Sequence, residues 1–91
     1  MKRHAGKGLP EVEELAAVAC AVQNMYLTAT ACQLGCYWTT GGVTYDDSAK
    51  PFFGLAPEDR LMGFFYIGVI AVPSPPGRRG PIEEKVNWIR E

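Results

Sequence analysis

Residues 61–72, LMGFFYIGVIAV, form an apolar run without a single charged side chain. The run shows no alternation of polar and apolar residues and is rich in aromatic and β-branched types, a pattern typical of a β-strand covered on both faces. Gly63 and Gly68 indicate bulges or close contacts within it. Because such a strand needs neighbouring strands and packed elements on both faces, it is the strongest constraint on how a chain of 91 residues can fold.

A long helix is predicted ahead of this strand. Pro10 suits the first turn of a helix, and the mostly acidic residues 11–14 complement the helix dipole. From Leu15 to Leu34 apolar residues recur at helical spacing, and interspersed alanines widen the apolar face nearly all round. The sequence therefore predicts one long buried helix, with Gly35 as the residue that follows its last turn.

The chain divides into three parts. Residues 1–9 have no apolar period and are predicted to be a disordered segment or a loop, while residues 10–72 form a partial domain. Residues 73–91 are predicted to be an extended C-terminal arm with a short helix from Pro81, since PSPPGRRG cannot continue a sheet. The fold class is α+β with a central strand. Two or three helices and two strands cannot cover that strand, so a partner chain or a missing part of the same chain is expected to do so.

The segment GCYWTTGG, residues 35–42, allows two interpretations. Cys36–Thr40 is predicted to be a short strand, and Gly41-Gly42 a turn or a close backbone approach. In the first interpretation, Trp38 packs the end of the strand and the glycines only turn the chain. In the second, the segment places backbone amides and an aromatic edge against a flat ligand. Spacing alone leaves both interpretations open.

Charge and composition exclude several functional classes. Nine basic and ten acidic residues give a net charge of −1, so no basic stripe is available for nucleic acid. The apolar segments are too short or too polar to span a membrane. Three cysteines and no secretory apolar region near Met1 favour reduced thiols and a cytoplasmic location. Because His4 is the only histidine, neither a metal site nor a nucleophilic triad is predicted, and no catalytic side chain is named.

Three stretches of the chain together resemble a known family. In order, they are AVACAVQNMYLTATACQLGCYWTTGGVTY, FFGLAPEDRLMGFFYIGVIA and PPGRRGPIEEKVNW. Their order and spacing are similar to the C-terminal half of the nitroreductase family of flavin-dependent oxidoreductases. The resemblance extends from about Glu14 to Trp88. The front segment MKRHAGKG does not match the Arg-rich RRS.R segment of the family, so the chain looks like a truncated member, an independently encoded fragment or a partial reading frame.

The resemblance implies a cofactor and its contacts. Family members bind FMN in two sites at the interface of an intertwined homodimer and take hydride from NAD(P)H. Carried over onto this sequence, the contacts to the flavin fall at Trp38, Thr39, Thr40 and Gly41, and a basic pair near the FMN phosphate falls at Arg78 and Arg79. Glycine would let the backbone approach the ring, and arginine suits phosphate through its fork of donors.

Two functions follow from the resemblance and its limits. The first is a nitroreductase-like flavoprotein that transfers hydride from NAD(P)H to nitroaromatic, quinone or enone acceptors once the missing N-terminal half completes it. The second is a truncated, non-catalytic fragment that acts only as a dimerisation or partner-binding module. The expected partners are FMN, NAD(P)H and either a second copy or a complementing chain.

Overall fold

The computed structural model describes residues 1–90 and has an α+β fold, as predicted. One α-helix, α1 (Glu11–Ala31), precedes a two-stranded antiparallel sheet of β1 (Gly35–Thr39) and β2 (Phe64–Gly68). Five single turns of 3-10 helix complete the regular structure, at Ala5–Lys7, Gly42–Tyr45, Asp47–Ala49, Pro51–Phe53 and Ile82–Glu84. Among residues 1–90, no helix has both the length and the hydropathy that crossing a membrane requires.

Helix α1 ends earlier than predicted. Its last residue is Ala31. Gln33, with φ +60°, is the left-handed residue after the last turn, the position predicted for Gly35. The Leu34 N–H donates to the Ala29 carbonyl at 2.9 Å, the bond that closes a Schellman-type end. Gly35 is therefore free to begin β1.

All five residues of β1 pair with the five residues of β2. Gly35 pairs with Gly68 at one end and Thr39 with Phe64 at the other. Strand β2 is shorter than the predicted run 61–72. It ends at Gly68, because Gly68 pairs with Gly35, the first residue of β1, and the described residues contain no other strand beside it. Helix α1 packs on one face through Tyr26, whose ring meets Phe65 edge-on with centroids 5.1 Å apart.

The predicted burial of the long helix is not achieved within this chain. Only Glu14 and Ala29 of α1 are buried, and Ala29 is the one apolar residue among those described that reaches the buried class. The radius of gyration is 17.6 Å, against roughly 12 Å for a compact domain of this length. Residues 1–90 supply no layer for the outer faces of helix and sheet, so these apolar surfaces remain open.

The N-terminal segment, predicted to be disordered or a loop, is a loop with one helical turn, and hydrogen bonds hold it in place. The Met1 amino group donates to the Arg60 carbonyl at 2.6 Å, and the Arg60 N–H returns a bond to the Met1 carbonyl at 3.0 Å. The Arg3 N–H donates to Asp59 at 2.8 Å, and the His4 N–H donates to Glu14 at 2.8 Å. Both carboxylates are buried, and a buried carboxylate requires donors, which this segment provides. Sequence spacing did not show this because the partners lie far apart in the chain.

This docking is expected to be lost in acid. The N–H of His4 lowers the pKa of Glu14 below its usual 4.5, and the N–H of Arg3 lowers the pKa of Asp59 below its usual 3.8. A lowered pKa in the folded state means that both groups stabilise docking above their usual pKa values, and that this stabilisation disappears as the pH falls through the lowered values. In a ¹H–¹⁵N NMR series we expect the His4 amide resonance to titrate below pH 4.5 and the Arg3 amide resonance below pH 3.8. Glu14→Gln is the control that should remove the His4 titration. Midpoints at or above the usual values would contradict the docking.

The C-terminal arm differs from its prediction. Instead of a short amphipathic helix from Pro81, only Ile82–Glu84 forms a helical turn, and Glu91 lies outside the described residues. Trp88 and Ile89 are exposed. An isolated helix of this length is marginal in water, and no described surface packs against its apolar side.

Candidate functional site

The turn that follows β1 exposes unused backbone donors. Thr44 is buried and fixes the turn, since its hydroxyl donates to the Gly41 carbonyl at 2.9 Å. Gly42 has φ +60°, and a Cβ added to Gly41 or Gly42 would meet no atom within 4 Å. Within residues 1–90, the N–H groups of Thr40 and Gly41 donate no hydrogen bond to another residue. Thr40 and Gly41 therefore present two adjacent free amides on an open surface, and the N–H groups of Gly42 and Val43 that follow likewise donate no bond to another described residue.

Trp38 and Thr39 support this turn from within the fold. The Trp38 N–H donates to the Tyr26 hydroxyl at 2.9 Å, and its indole Nε1–H donates to the Met62 carbonyl at 2.9 Å. Both donors of Trp38 are thus committed to the protein, so its ring can act as a wall but not as a hydrogen-bond donor to a ligand. Thr39 is half-buried opposite Phe64.

A cavity of about 400 Å³ adjoins the turn through Trp38 and Thr40. Its size lies within the range of small-molecule sites. The lining is mainly apolar with four charged side chains, and comprises Glu11, Leu15, Trp38, Thr40, Thr44, Tyr45, Asp47, Lys50, Arg60, Leu61 and Met62.

The charged residues of the cavity form two ion pairs with one another, and Glu11 also pairs with Arg3 at 3.1 Å. Lys50 lies 2.9 Å from Asp47 and also donates to the Pro57 carbonyl at 2.7 Å. Arg60 donates through Nε to Glu11, and this hydrogen bond lowers the pKa of Glu11 and raises that of Arg60. Each cation is therefore compensated by a carboxylate, and Lys50 has the more enclosed position.

The described residues fit one end of FMN better than the other. Free amides on a glycine turn suit the acceptor atoms at the edge of a flavin ring. No uncompensated cation lies beside that turn for the phosphate. Arg78 and Arg79 are exposed on the arm and form no hydrogen bond or ion pair with another described residue. The structure brings together Trp38, Thr39, Thr40 and Gly41, but it does not bring the two arginines to them.

Three residues that shape the turn were not singled out as site residues from the sequence. Tyr26 packs against Phe65, and its hydroxyl also accepts the Trp38 N–H. Thr44 stands three residues after Gly41, the local spacing at which a hydroxyl returns to a backbone carbonyl, so this signal was present. Gly63 was expected to mark a bulge or a close contact, and an added Cβ there would lie 2.3 Å from the Thr39 carbonyl oxygen. Among the described residues, no group of His, Cys, Asp and Glu side chains is arranged to hold a metal ion.

Comparison with known proteins places this site in context. The model of the nitroreductase family matches residues 1–69. The chain is 32% identical over 60 residues to "Putative NAD(P)H nitroreductase YdjA" from Escherichia coli strain K12 and to the protein of the same name from strain O157:H7. Each of these matches covers 66% of this chain and 33% of the relative, so the match spans about a third of the length of the curated relatives. No solved structure gives a significant match.

The extent of the family match corrects the one inferred from sequence motifs. It begins at residue 1, where the sequence analysis expected no likeness, and ends at residue 69, before Arg78 and Arg79. The turn at Thr40 and Gly41, with its supporting residues, lies inside the matched range. Since the match covers most of the chain, the chain belongs to the nitroreductase family.

Proposed function

We propose that this chain contributes the ring-binding part of the flavin site of an FMN-dependent NAD(P)H oxidoreductase. The acceptors would be nitroaromatics, quinones or enones, and the activity would require the remainder of the domain. The observation that supports this most strongly is the pair of free amides at Thr40 and Gly41, on an open glycine turn beside a cavity. Family membership supports the oxidoreductase class.

In this proposal the protein binds and orients, and FMN when bound supplies the two-electron chemistry between nicotinamide and acceptor. The N–H groups of Thr40 and Gly41 would donate to the N5 and O4 edge of the ring. The Trp38 ring would shield that edge from water. It would donate no hydrogen bond to the flavin, because both of its N–H donors are already engaged within the protein. Thr44 would hold the turn in shape through its bond to the Gly41 carbonyl. Thr39 would fix the strand end behind the turn.

The phosphate of FMN would be bound by Arg78 and Arg79. The part of the arm that carries them, residues 73–85, is exposed, so it has room to reach a site on the same chain or on a partner. Guanidinium groups would bind the phosphate through paired hydrogen bonds. A homodimer or a complementing chain would complete the site, and a cytoplasmic location stays a prediction.

The proposal is tested by anaerobic reduction. The chain, loaded with FMN and freed of excess, is mixed with NADH or NADPH in the absence of oxygen, and the visible flavin band is followed. We expect the band to bleach faster than that of free FMN at the same concentration once a chain that carries the remainder of the domain is added, and to return on addition of a quinone. Bleaching no faster than that of free FMN with both parts present would contradict the proposal.

A second candidate function is a non-catalytic dimerisation or partner-binding module. It is favoured by a groove of about 640 Å³ between α1 and β2 that is lined mainly by apolar atoms. The groove residues are Ala21, Asn24, Met25, Thr28, Ala29, Cys32, Leu34, Phe65 and Ile67. Large apolar side chains that are exposed on the same two elements, among them Met25, Leu27 and Ile67, support this function.

Light scattering after size-exclusion chromatography tests whether this surface is an interface. We expect a dimer or a larger species at micromolar concentration, because association would bury the open faces of α1 and β2. Met25→Glu should shift the population toward monomer, since it places a charge in the groove. Gln23→Glu is the matched control, because Gln23 is exposed and lies outside the groove lining. A monomer at all concentrations with a cooperative melt would count against an interface here.

A further inference from the structure

One cation of the cavity beside the turn retains free donors. Lys50 is committed to Asp47 and to the Pro57 carbonyl. Arg60 bonds to Glu11 through Nε, and its two terminal nitrogens donate no hydrogen bond to another described residue. The Arg60 side chain is 53% exposed, which leaves these nitrogens accessible. The cavity therefore has one cationic group able to bind an anion.

The walls of the cavity are suited to an aromatic ring. Leu15, Trp38, Leu61 and Met62 provide apolar contact, and the Trp38 ring offers a flat face. A cavity of about 150 Å³ is enough for benzene. The volume of about 400 Å³ therefore accommodates a ring with one or two substituents.

We propose that this cavity binds a planar aromatic electron acceptor that carries an anionic substituent, with Arg60 as the residue that selects for the anion. The role of the ligand as an electron acceptor rests on the proposed function, since Thr40 belongs both to the cavity lining and to the flavin-binding turn. Binding itself requires only the cavity and does not require flavin.

The proposal also predicts how Glu11 affects the affinity for a ligand anion, and this effect is opposite to that of Arg60. Its carboxylate competes with a ligand anion for the Arg60 guanidinium. Removing the Arg60 charge should weaken anion binding, whereas neutralising Glu11 should strengthen it. The backbone bonds between Arg60 and Met1 do not depend on the Arg60 side chain, so Arg60→Gln retains them.

Quenching of Trp38 fluorescence measures this binding without flavin. In a Trp88→Phe background Trp38 is the only tryptophan, and its ring lines the cavity. The probes are 4-nitrobenzoate and 4-nitrobenzamide, which have similar shapes and differ in charge. We expect saturable quenching by both and a Kd about five-fold lower for the carboxylate, a typical ratio for one partly exposed charged hydrogen bond. Arg60→Gln should abolish that preference, and Arg90→Gln, which removes an exposed arginine outside the cavity lining, should retain it.

Several outcomes would overturn the proposal. These are absence of saturable quenching, equal affinity for the two probes, or a preference that Arg60→Gln leaves intact. If Arg60→Gln does not fold by circular dichroism, Glu11→Gln decides, since it should bind 4-nitrobenzoate more tightly, and unchanged or weaker binding would contradict the proposal. Failure of this inference is distinguishable from failure of the flavin proposal, because FMN retention is measured separately on the same chain.

Discussion

Substitution of Gly63 by alanine is expected to lower the free energy of unfolding by about 3 kcal/mol, through overpacking and backbone strain combined. Gly63 has φ +120°, a region that residues with a Cβ rarely adopt. An added Cβ would lie 2.3 Å from the Thr39 carbonyl oxygen and 2.6 Å from the Trp38 Nε1. The first contact is with backbone, which cannot move away without disturbing the pairing of β1 with β2. Relief of the second would break the hydrogen bond from Trp38 to the Met62 carbonyl.

Gly68→Ala is the matched control for this substitution. Gly68 lies at the far end of β2, and a Cβ there would meet no atom within 4 Å. We expect its effect on stability to stay below about 1 kcal/mol. Chemical denaturation followed by circular dichroism compares the two variants with the parent chain. Equal stabilities for the two variants would show that the Gly63 contact does not exist in solution.

Substitution of Gly41 by proline is expected to weaken FMN binding about ten-fold, equivalent to about 1.4 kcal/mol for one lost hydrogen bond. Proline removes the Gly41 N–H, one of the two free amides of the turn. The backbone of Gly41 has φ −87°, not far from the value that proline fixes, and the N–H makes no described bond that the fold would lose. The substitution therefore targets the ligand donor with little effect on folding.

Gly41→Ala tests whether the effect of proline comes from loss of the N–H donor or from loss of the glycine itself. Alanine keeps the N–H, and its Cβ would meet no protein atom within 4 Å. We expect its Kd for FMN, measured by fluorescence titration, to stay within about two-fold of the parent value, since the hydrogen bond is retained. If both variants weaken binding equally, the ring requires the close backbone approach and not the amide. If neither does, the turn does not bind the flavin.

Local sequence signals predicted local structure well. The acidic first turn after Pro10 and the helical spacing predicted α1, which begins at Glu11. Asp46, Asp47 and Ser48 are of residue types that cap a helical turn, and Gly54 is of the type that ends one. In the structure Asp46 accepts the Ser48 N–H at 2.9 Å, and Gly54 has φ +67°. These features depend on neighbours only a few residues away, and spacing records such neighbours directly.

Features that depend on distant partners were not predictable in the same way. The docking of residues 1–9 rests on Glu14, Asp59 and Arg60, none of which a local pattern links to the N-terminus. The left-handed residue at the end of α1 is Gln33 and not a glycine, so residue preference pointed to the wrong position. The arm lacks its expected helix because an apolar face forms a stable helix only against a surface that covers it.

The candidate site also combines features that local sequence indicates with features that depend on distant partners. One interpretation of the motif at residues 38–41 places backbone amides against a flat ligand. The structure has free amides at Thr40 and Gly41, and their contact with a ligand stays a prediction. The roles of Tyr26 and Gly63 depend on how α1 and the residues before β2 approach β1 in space. No spacing within GCYWTTGG shows either contact. The cavity with Arg60 likewise arises from three separate parts of the chain.

The central claim is that the turn at Thr40 and Gly41 binds FMN. The most direct measurement is the visible absorption spectrum of the purified chain after incubation with FMN and removal of the excess. We expect flavin bands to be retained at a fixed ratio of FMN to chain. A spectrum without flavin, obtained from a chain that is folded by circular dichroism, would contradict the claim for this chain by itself.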